Sequence, residues 1–397
     1  MKLAQRLDHI EPFYVMECAK AAVEIAKGPL CDPARGGRPM IYLNIGEPDF
    51  GAPPLVQQAA AACIEAGRTQ YTQAIGLPDL RQKLSIWYRE RFGLDVAPER
   101  IVITAGASAA LQLACLALFE RGDQVLMPDP CYPCNRHFVA AADAEALLLP
   151  AGAEQRFQPS SAQVVAAWTE ATRGVLLASP SNPTGTSIEH AEMQAIVEAV
   201  RARGGVTVVD EIYLGLSYDA RFERSALEFA GPEMDVISVN SFSKYFGMTG
   251  WRLGWLVLPP ALVGPVERLA QNLFICASSI AQHAALACFE PASMAEYERR
   301  RQAFRERRDF IVPALQRVGL RVPVVPDGAF YCWIDCSAHT DNSWDFAFEL
   351  MEKAQLALTP GRDFGRLGAE RWLRLSFASS MGDLQEAVAR LAGVLGR

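Results

Sequence analysis

The sequence lacks any apolar run of the roughly 18 residues that a membrane-spanning helix needs, and residues 1–6 lack the apolar core of a signal peptide. It also lacks an excess of basic residues, because its net charge of −7 comes from charges of both signs scattered along 397 residues. A basic face for nucleic acid or for an anionic membrane is therefore not expected. These absences favour a cytoplasmic protein that acts on small molecules.

The ten cysteines lack a regular spacing, which is typical of reduced thiols rather than of a disulfide framework. Cys131 and Cys134 form a CxxC pair with His137 close by, a pattern compatible with half of a zinc or redox site. No second pair or histidine-rich segment completes four ligands. We therefore predict no metal and interpret the segment as a turn that leaves the candidate strand 125–127.

Half of the residues are hydrophobic, which is enough for a large core and two domains. Short runs rich in Val, Ile and Leu alternate with segments of helical length such as 108–119 and 189–203. This alternation predicts an α/β fold with a mostly parallel, seven-stranded sheet that is covered on both faces. The candidate strands are 101–104, 125–127, 146–149, 175–178, 206–209, 236–239 and 254–258.

The alternation of short apolar runs with helical segments ends near residue 290. A long helix is predicted at 296–318, and its cluster of arginines is typical of a solvated face. The segments 328–334 and 372–377 are predicted as strands of a second, smaller α+β domain. The predicted boundaries are thus 49–289 for the large domain and 290–397 for the small one.

The strongest chemical signal is Lys244, the last residue of the segment NSFSK at 240–244. This segment follows the apolar run 236–239 and precedes Arg252 by eight residues. A lysine delivered by a buried strand, with hydroxyls before it and an arginine after it, can bind an aldehyde covalently and a phosphate beside it. Pyridoxal phosphate carries both groups.

Two further segments supply what this cofactor needs. Asn182 lies between two prolines in SPSNPTG at 179–185, and Asp210 ends an apolar strand 34 positions before Lys244. The combination resembles the fold-type I pyridoxal phosphate enzymes and, more narrowly, the class I/II aminotransferases of the aspartate aminotransferase superfamily. The resemblance extends over nearly the whole chain, from GEPDF at 46–50 to RLSF at 374–377. It implies that residues 1–48 form an N-terminal arm and part of the small domain.

The phosphate of the cofactor needs donors at a helix start. The small-residue turn before Ala107 and Ser108 leads from a strand into a helix, where backbone N–H groups meet an anion. The same turn could be an ordinary strand-to-helix connection, but it matches the family's phosphate motif. The resemblance further implies donors from Ser241, Ser243 and Arg252, and it implies that Tyr71 reaches the phosphate of a partner subunit in a homodimer.

The remaining assignments concern the ring and the substrate. Asp210 is expected to keep the ring nitrogen protonated, and Lys244 to bind the aldehyde and then shuttle the α-proton. The resemblance implies that Arg374 binds the substrate carboxylate, together with Asn182 and the backbone of Gly46. The other expected residues are Tyr213 and Asn182 at the ring oxygen, Tyr132 stacked on the ring, and Phe13 and Tyr14 at the pocket edge.

The predicted function is transfer of an amino group from an α-amino acid to a 2-oxo acid, in two half-reactions through a pyridoxamine form of the cofactor. A lyase or decarboxylase that uses the same site is the alternative. A ligand-sensing regulator of the same fold is disfavoured, because about 45 residues before Gly46 leave no room for a DNA-binding module. The side chain of the substrate stays open at this point.

Overall fold

The computed structural model describes residues 2–231 and 233–396, with nothing stated of the Gln5 side chain. Helices and strands alternate through its first two thirds, as expected for a wound α/β protein. Over all the described residues, the α-helices are α1 (Tyr14–Ala26), α2 (Pro54–Glu65), α3 (Pro78–Phe92), α4 (Ala107–Leu118), α5 (Pro133–Ala141), α6 (Ser161–Ala167), α7 (His190–Arg201), α8 (Pro260–Leu273), α9 (Ser279–Ala285), α10 (Pro291–Arg317), α11 (Ser343–Ala354) and α12 (Met381–Leu395).

Two larger sheets and one short strand pair organise the described strands. The strands are β1 (Ile41–Tyr42), β2 (Ile101–Thr104), β3 (Gln124–Asp129), β4 (Glu145–Pro150), β5 (Thr172–Ala178), β6 (Val206–Asp210), β7 (Val236–Ser241), β8 (Gly254–Val257), β9 (Tyr331–Asp335), β10 (Leu356–Ala357), β11 (Thr359–Pro360) and β12 (Trp372–Ser376).

The large sheet has seven strands in the order β2-β8-β7-β6-β5-β3-β4. Strand β8 pairs antiparallel with both β2 and β7, whereas the other neighbours run parallel. All residues of β2, β7 and β8 are buried, because helices cover both faces of the sheet. The predicted α/β class and mostly parallel seven-stranded sheet are confirmed.

The sequence places several strand ends too early. Strand β6 includes Asp210, β3 continues to Asp129, and β7 includes Ser241. These polar residues still take part in the backbone ladder, for example Asp210 beside Val239. Apolar patterning misses them because backbone pairing continues where the side chains have become polar.

A second sheet forms near the C-terminus in the antiparallel order β11-β12-β9. The N-terminal segment joins this region, since β1 pairs in parallel with β10 and α1 packs against α11. Cys18 and Ala22 of α1 share an apolar cluster with Met351 and Ala357. Strands β1, β10 and β11 have two residues each, too few for a periodic signal in the sequence.

The arginine cluster of α10 differs from the expected solvated face. Arg307 is 8% exposed, and its guanidinium donates to both carboxylate oxygens of Asp49 at 2.7 and 2.8 Å. Arg300 donates to the Gly51 carbonyl at 2.6 Å, so the same helix is tied to the chain just beyond Gly46. The cluster therefore joins α10 to the segment that leads into the candidate site.

Within the two described ranges, no helix combines the length and the apolar character needed to cross a membrane.

Candidate active site

One cavity of about 280 Å³ lies at the carboxyl ends of β6 and β7, where ligands bind in sheets of this kind. The structure brings into it most of the residues singled out by the sequence. They are Phe13, Gly46, Ala107, Ser108, Tyr132, Asn182, Asp210, Tyr213, Ser241, Ser243, Lys244, Arg252 and Arg374.

The first part of the cavity is a cluster of donors around the start of α4. Gly106 caps this helix with a φ of 85°, a conformation that favours glycine. A Cβ on Gly106 would lie 2.6 Å from Nη2 of Arg252, so the guanidinium sits directly against the turn. Backbone N–H groups at a helix start together with a guanidinium form a site that suits a phosphate.

Gly254 of β8 makes this close packing possible. A Cβ there would lie 2.8 Å from the backbone nitrogen of Ala107. On the other side of the turn, the hydroxyl of Ser241 accepts a hydrogen bond from the backbone N–H of Ser243 at 3.0 Å. The two serines thus form a compact turn whose hydroxyls line the same cavity as Arg252.

Lys244 lies at the centre of the cavity. Its Nζ donates to the carbonyl oxygen of Gly46 at 2.6 Å. Burial lowers the pKa of Lys244 to about 8, although the carboxylate of Glu47 acts in the opposite direction. An appreciable fraction of this amine is therefore unprotonated near neutral pH, as attack on an aldehyde requires.

Asp210, the last residue of β6, is 3% exposed. Burial raises its pKa to about 6, against the lowering effect of the Ile212 N–H and the Asn135 side chain. Within the described residues Asp210 has no salt-bridge partner. A buried carboxylate of this kind gains stability from a cationic partner such as a protonated ring nitrogen.

Arg374 of β12 is 2% exposed and makes no ion pair in the part of the chain that the structure describes. Its Nη1 donates to Oδ1 of Asn182 at 2.9 Å, and its Nη2 donates to the Asn44 carbonyl at 2.7 Å. The guanidinium also lies over the Tyr331 ring at 4.6 Å. A buried cation held only by neutral groups is suited to binding an anion.

Gly46 lies close to Arg374 and Tyr331, and there is no room for a larger residue at this position. A Cβ at Gly46 would lie 2.7 Å from the Tyr331 hydroxyl and 4.0 Å from Nη1 of Arg374. The Tyr331 hydroxyl is also 2.8 Å from that of Tyr213. Tyr331 therefore connects the arginine to the tyrosine expected at the ring oxygen.

Two predicted residues lie outside the cavity. Tyr14 packs edge-on against Trp344 at 5.7 Å and lies under the guanidinium of Arg362 at 4.4 Å. Phe13 does line the cavity and contacts Tyr132, and since successive residues at a helix start point in different directions, Tyr14 faces away. Tyr71 is 82% exposed on the surface of the chain.

Several residues of the site were not identified from the sequence. Asn135 follows Tyr132 by three positions, one turn of α5, and this spacing could have indicated it. Tyr331 lies in the predicted strand 328–334, which has no polar/apolar alternation and therefore gives no signal of which side chains face the cavity. Val15 and Met16 directly follow Phe13 and Tyr14 in the segment that was expected at the pocket edge. The lining residues without any local signal are Ala19, Asn44, Ile45, Leu111 and Ile212. Among the described residues no group of three His, Cys, Asp or Glu side chains converges as metal ligands.

Comparison with known proteins connects this geometry to a family. The family described as "Aminotransferase class I and II" matches residues 38–391. A curated relative, the valine–pyruvate aminotransferase of Mycobacterium tuberculosis, is 37% identical over 386 residues, which are 97% of each chain. These matches favour amino-group transfer over the lyase alternative.

Solved structures of aminotransferases superpose on this chain over nearly its full length. A crystal structure of an aminotransferase from Mycobacterium tuberculosis superposes with a TM-score of 0.94 at 36% identity and covers 100% of this chain and 99% of that one. The aspartate aminotransferase of Thermus thermophilus with maleate gives a TM-score of 0.90 at 31% identity, with 99% and 100% covered. The chain therefore belongs to the class I and II aminotransferases, fold-type I enzymes that use pyridoxal 5′-phosphate.

Proposed function

We propose that this aminotransferase moves an amino group from an α-amino acid to a 2-oxo acid, with Lys244 as the residue that binds the cofactor and shuttles the proton. The first amino acid leaves as its 2-oxo acid, and the acceptor leaves as its amino acid. One observation carries the proposal. Buried Arg374, without a carboxylate partner in the described chain, shares a cavity with Lys244 and Asp210.

Pyridoxal phosphate supplies an aldehyde that binds amines covalently and a ring that withdraws the electron pair of the broken Cα–H bond. Lys244 would hold the cofactor through Nζ, and the same amine, once free, would take the proton from the substrate Cα as a general base. Its lowered pKa, about 8, suits both tasks. Asp210 pairs with the ring nitrogen and keeps it protonated.

The other residues of the cavity position these groups. The N–H groups at Ala107 and Ser108 hold the phosphate, together with Ser241, Ser243 and Arg252. Tyr132, which lines the same cavity, would lie against the ring.

The substrate carboxylate binds to Arg374. Because Oδ1 of Asn182 already accepts from this arginine, the amide NH₂ of Asn182 is the group left to donate into the cavity. Tyr213 directs its hydroxyl to the ring oxygen, and the backbone at Gly46 contacts the carboxylate. Phe13 edges the substrate pocket, whereas Tyr14 is not part of it.

A homodimer completes the proposal. Tyr71, exposed on its own chain, would reach the phosphate bound by the partner subunit. A cytoplasmic location and the domain boundaries 1–48, 49–289 and 290–397 belong to the same proposal. The absence of a helix suited to crossing a membrane in the described ranges is compatible with that location.

The test is an absorbance spectrum of the purified protein, followed by single amino acids added without any oxo acid. Conversion of the cofactor band to that of the pyridoxamine form is expected, with one equivalent of 2-oxo acid released per site. Continuous release of ammonia and oxo acid under these conditions would contradict the proposal. The names of the relatives include both valine and aspartate, so the substrate side chain must be inferred from this chain's own residues.

A further inference from the structure

One wall of the cavity has no part in the chemistry described above. It is formed by the first turns of α1 and by the segment next to Gly46. Its side chains are all apolar and comprise Phe13, Val15, Met16, Ala19 and Ile45, which we call the α1 wall. The donors around Arg252 suit a phosphate, whereas this apolar wall is available to contact the part of the substrate that does not react.

The exposure of the α1 wall indicates an apolar ligand. Met16 is 53% exposed and Ile45 is 45% exposed, although both line a concave site. Large apolar side chains at the mouth of a cavity form no hydrogen bonds with water. Covering them with an apolar group of a ligand is therefore favourable. A charged side chain placed there would lose its hydration without finding a partner.

The cations near the cavity are already engaged. Among the described lining residues the cations are Lys244, Arg252 and Arg374, which hold the cofactor and the α-carboxylate. Two arginines lie near the α1 wall without lining the cavity. Arg362 covers the Tyr14 ring at 4.4 Å, and Arg136 donates to the Asp363 carbonyl at 2.9 Å. Neither arginine belongs to the lining that a second carboxylate of the substrate would contact.

A distant residue fixes the position of the α1 wall. Helix α1 has no capping side chain of its own, since its N-cap residue is Phe13. Instead the carboxylate of Asp363 accepts hydrogen bonds from the backbone N–H groups of Tyr14, at 3.0 Å, and Val15. Asp363 is 2% exposed, so this cap lies within the protein interior. Removing the cap would loosen the helix start that carries Val15 and Met16.

We propose that the α1 wall is the side-chain subsite of this enzyme, that it selects amino acids and 2-oxo acids with aliphatic side chains over acidic ones, and that Asp363 is the positioning residue that holds it. The proposal rests on the proposed function, because Arg374 must hold the α-carboxylate for the side chain to point at this wall. No chemical step is added to amino-group transfer.

Binding of unreactive carboxylates tests the subsite without relying on turnover. Calorimetry on the cofactor-loaded enzyme compares 3-methylbutanoate, which carries one carboxylate and a branched apolar end, with butanedioate, which carries two carboxylates. We expect 3-methylbutanoate to bind at least about tenfold more tightly, the scale of a difference in apolar contact of one or more methylene groups. Equal or tighter binding of butanedioate would overturn the proposal.

Kinetics on the same enzyme provide the second measurement. The value of kcat/KM for valine is expected to exceed that for aspartate by at least about tenfold. If aspartate is preferred, the inference fails while the proposed function stands. If no amino acid is converted, the proposed function fails, and the binding comparison still decides the character of the wall.

Variants connect the preference to named residues. Met16→Ala should reduce the advantage of valine over alanine by about fivefold or more, because it removes apolar contact with the larger side chain. Val23→Ala is the matched control, since Val23 is an exposed apolar residue on the same helix and does not line the cavity. An equal effect of both substitutions would overturn the assignment of Met16.

Asp363→Asn tests the positioning role. We expect KM for valine to rise about threefold to tenfold with little change in kcat and with smaller effects on alanine, because a looser wall affects larger side chains most. The control is Ser380→Ala, which removes the helix cap of α12 at a residue that does not line the cavity. An equal change in KM for valine and alanine in Asp363→Asn, or the same change in Ser380→Ala, would contradict the role of Asp363.

Discussion

The two sides of the cavity are built in different ways. The side proposed to hold the cofactor consists of residues at or just beyond the ends of neighbouring strands, with Asp210 as the last residue of β6 and Lys244 three residues after β7. The α1 wall comes instead from the N-terminal helix, held in place by Asp363, 349 positions beyond Tyr14. The first side is polar and backed by the sheet, whereas the second is apolar and partly exposed.

This difference separates reactivity from selectivity. A group that must meet a reacting atom is best held by a buried strand, because such a strand has little freedom to move. A surface that selects a side chain tolerates a helix fixed by a few contacts. Substitutions on the cofactor side should therefore reduce the rate for every substrate, and substitutions in the α1 wall should change only the ranking of substrates.

Lys244→Ala should show the largest effect. Loss of both the covalent attachment and the general base is expected to reduce kcat by at least about 10⁴-fold for every amino acid tested. Steady-state kinetics over a panel of amino acids measure this, with Lys353→Ala as a control at a lysine exposed on α11. A Lys244→Ala enzyme with near-normal turnover would remove the basis of the comparison.

Arg374→Ala should have the second-largest effect on activity. Removal of a buried guanidinium that binds the α-carboxylate is expected to lower kcat/KM by about 30-fold or more, equally for large and small side chains. The kinetic measurement is the ratio of valine to alanine, which should stay constant while both values fall. A change in this ratio without a general loss would place Arg374 on the selective side of the cavity.

Asp210→Asn should have a smaller effect on the rate. The substitution keeps the shape of the side chain but removes the charge that stabilises a protonated ring nitrogen, and we expect kcat to fall by about tenfold to 100-fold. Rapid-reaction absorbance of a single half-reaction measures the step directly. An unchanged half-reaction rate would show that the carboxylate is structural.

The pH dependence of cofactor capture should show a smaller but defined shift. Because burial lowers the pKa of Lys244 from 10.5 to about 8, the rate at which cofactor-free protein binds pyridoxal phosphate should rise with pH and level off above about 8. Glu47 stabilises the protonated amine, so Glu47→Gln should move the midpoint to lower pH. A midpoint near 10 would contradict the burial of this amine.

Tyr331→Phe should show the smallest effect. It removes one hydrogen bond to Tyr213 but keeps the ring beneath Arg374, so we expect kcat/KM to fall by about twofold to tenfold for all substrates. The cofactor absorbance band of the resting enzyme provides a second measurement, because its pH midpoint should shift if Tyr213 reorients. A larger loss for valine than for alanine would instead link Tyr331 to the α1 wall.

Local sequence patterns were sufficient to predict a site residue where a chemically reactive side chain directly follows a buried strand. Lys244 and Asp210 were identified because each follows a buried apolar run that marks the end of a central strand. Asn135 was missed although it lies one helical turn after Tyr132, because its carboxylate partner Asp210 is on β6, distant in the sequence from α5. Tyr14 was proposed together with Phe13, but the sequence alone does not specify which way each side chain points at the start of α1.

The sequence by itself determined the α/β architecture, because buried strands and their polar ends are encoded in contiguous segments. Its motifs also indicated the family by resemblance and predicted which residues bind pyridoxal phosphate. Only the tertiary structure decided which side chains form the α1 wall and that Arg374 lacks a carboxylate partner among the described residues. These properties depend on contacts such as Asp363 with Tyr14 and Arg374 with Asn182. The two residues of these contacts lie 349 and 192 positions apart in the sequence, and no local periodicity records contacts over such separations.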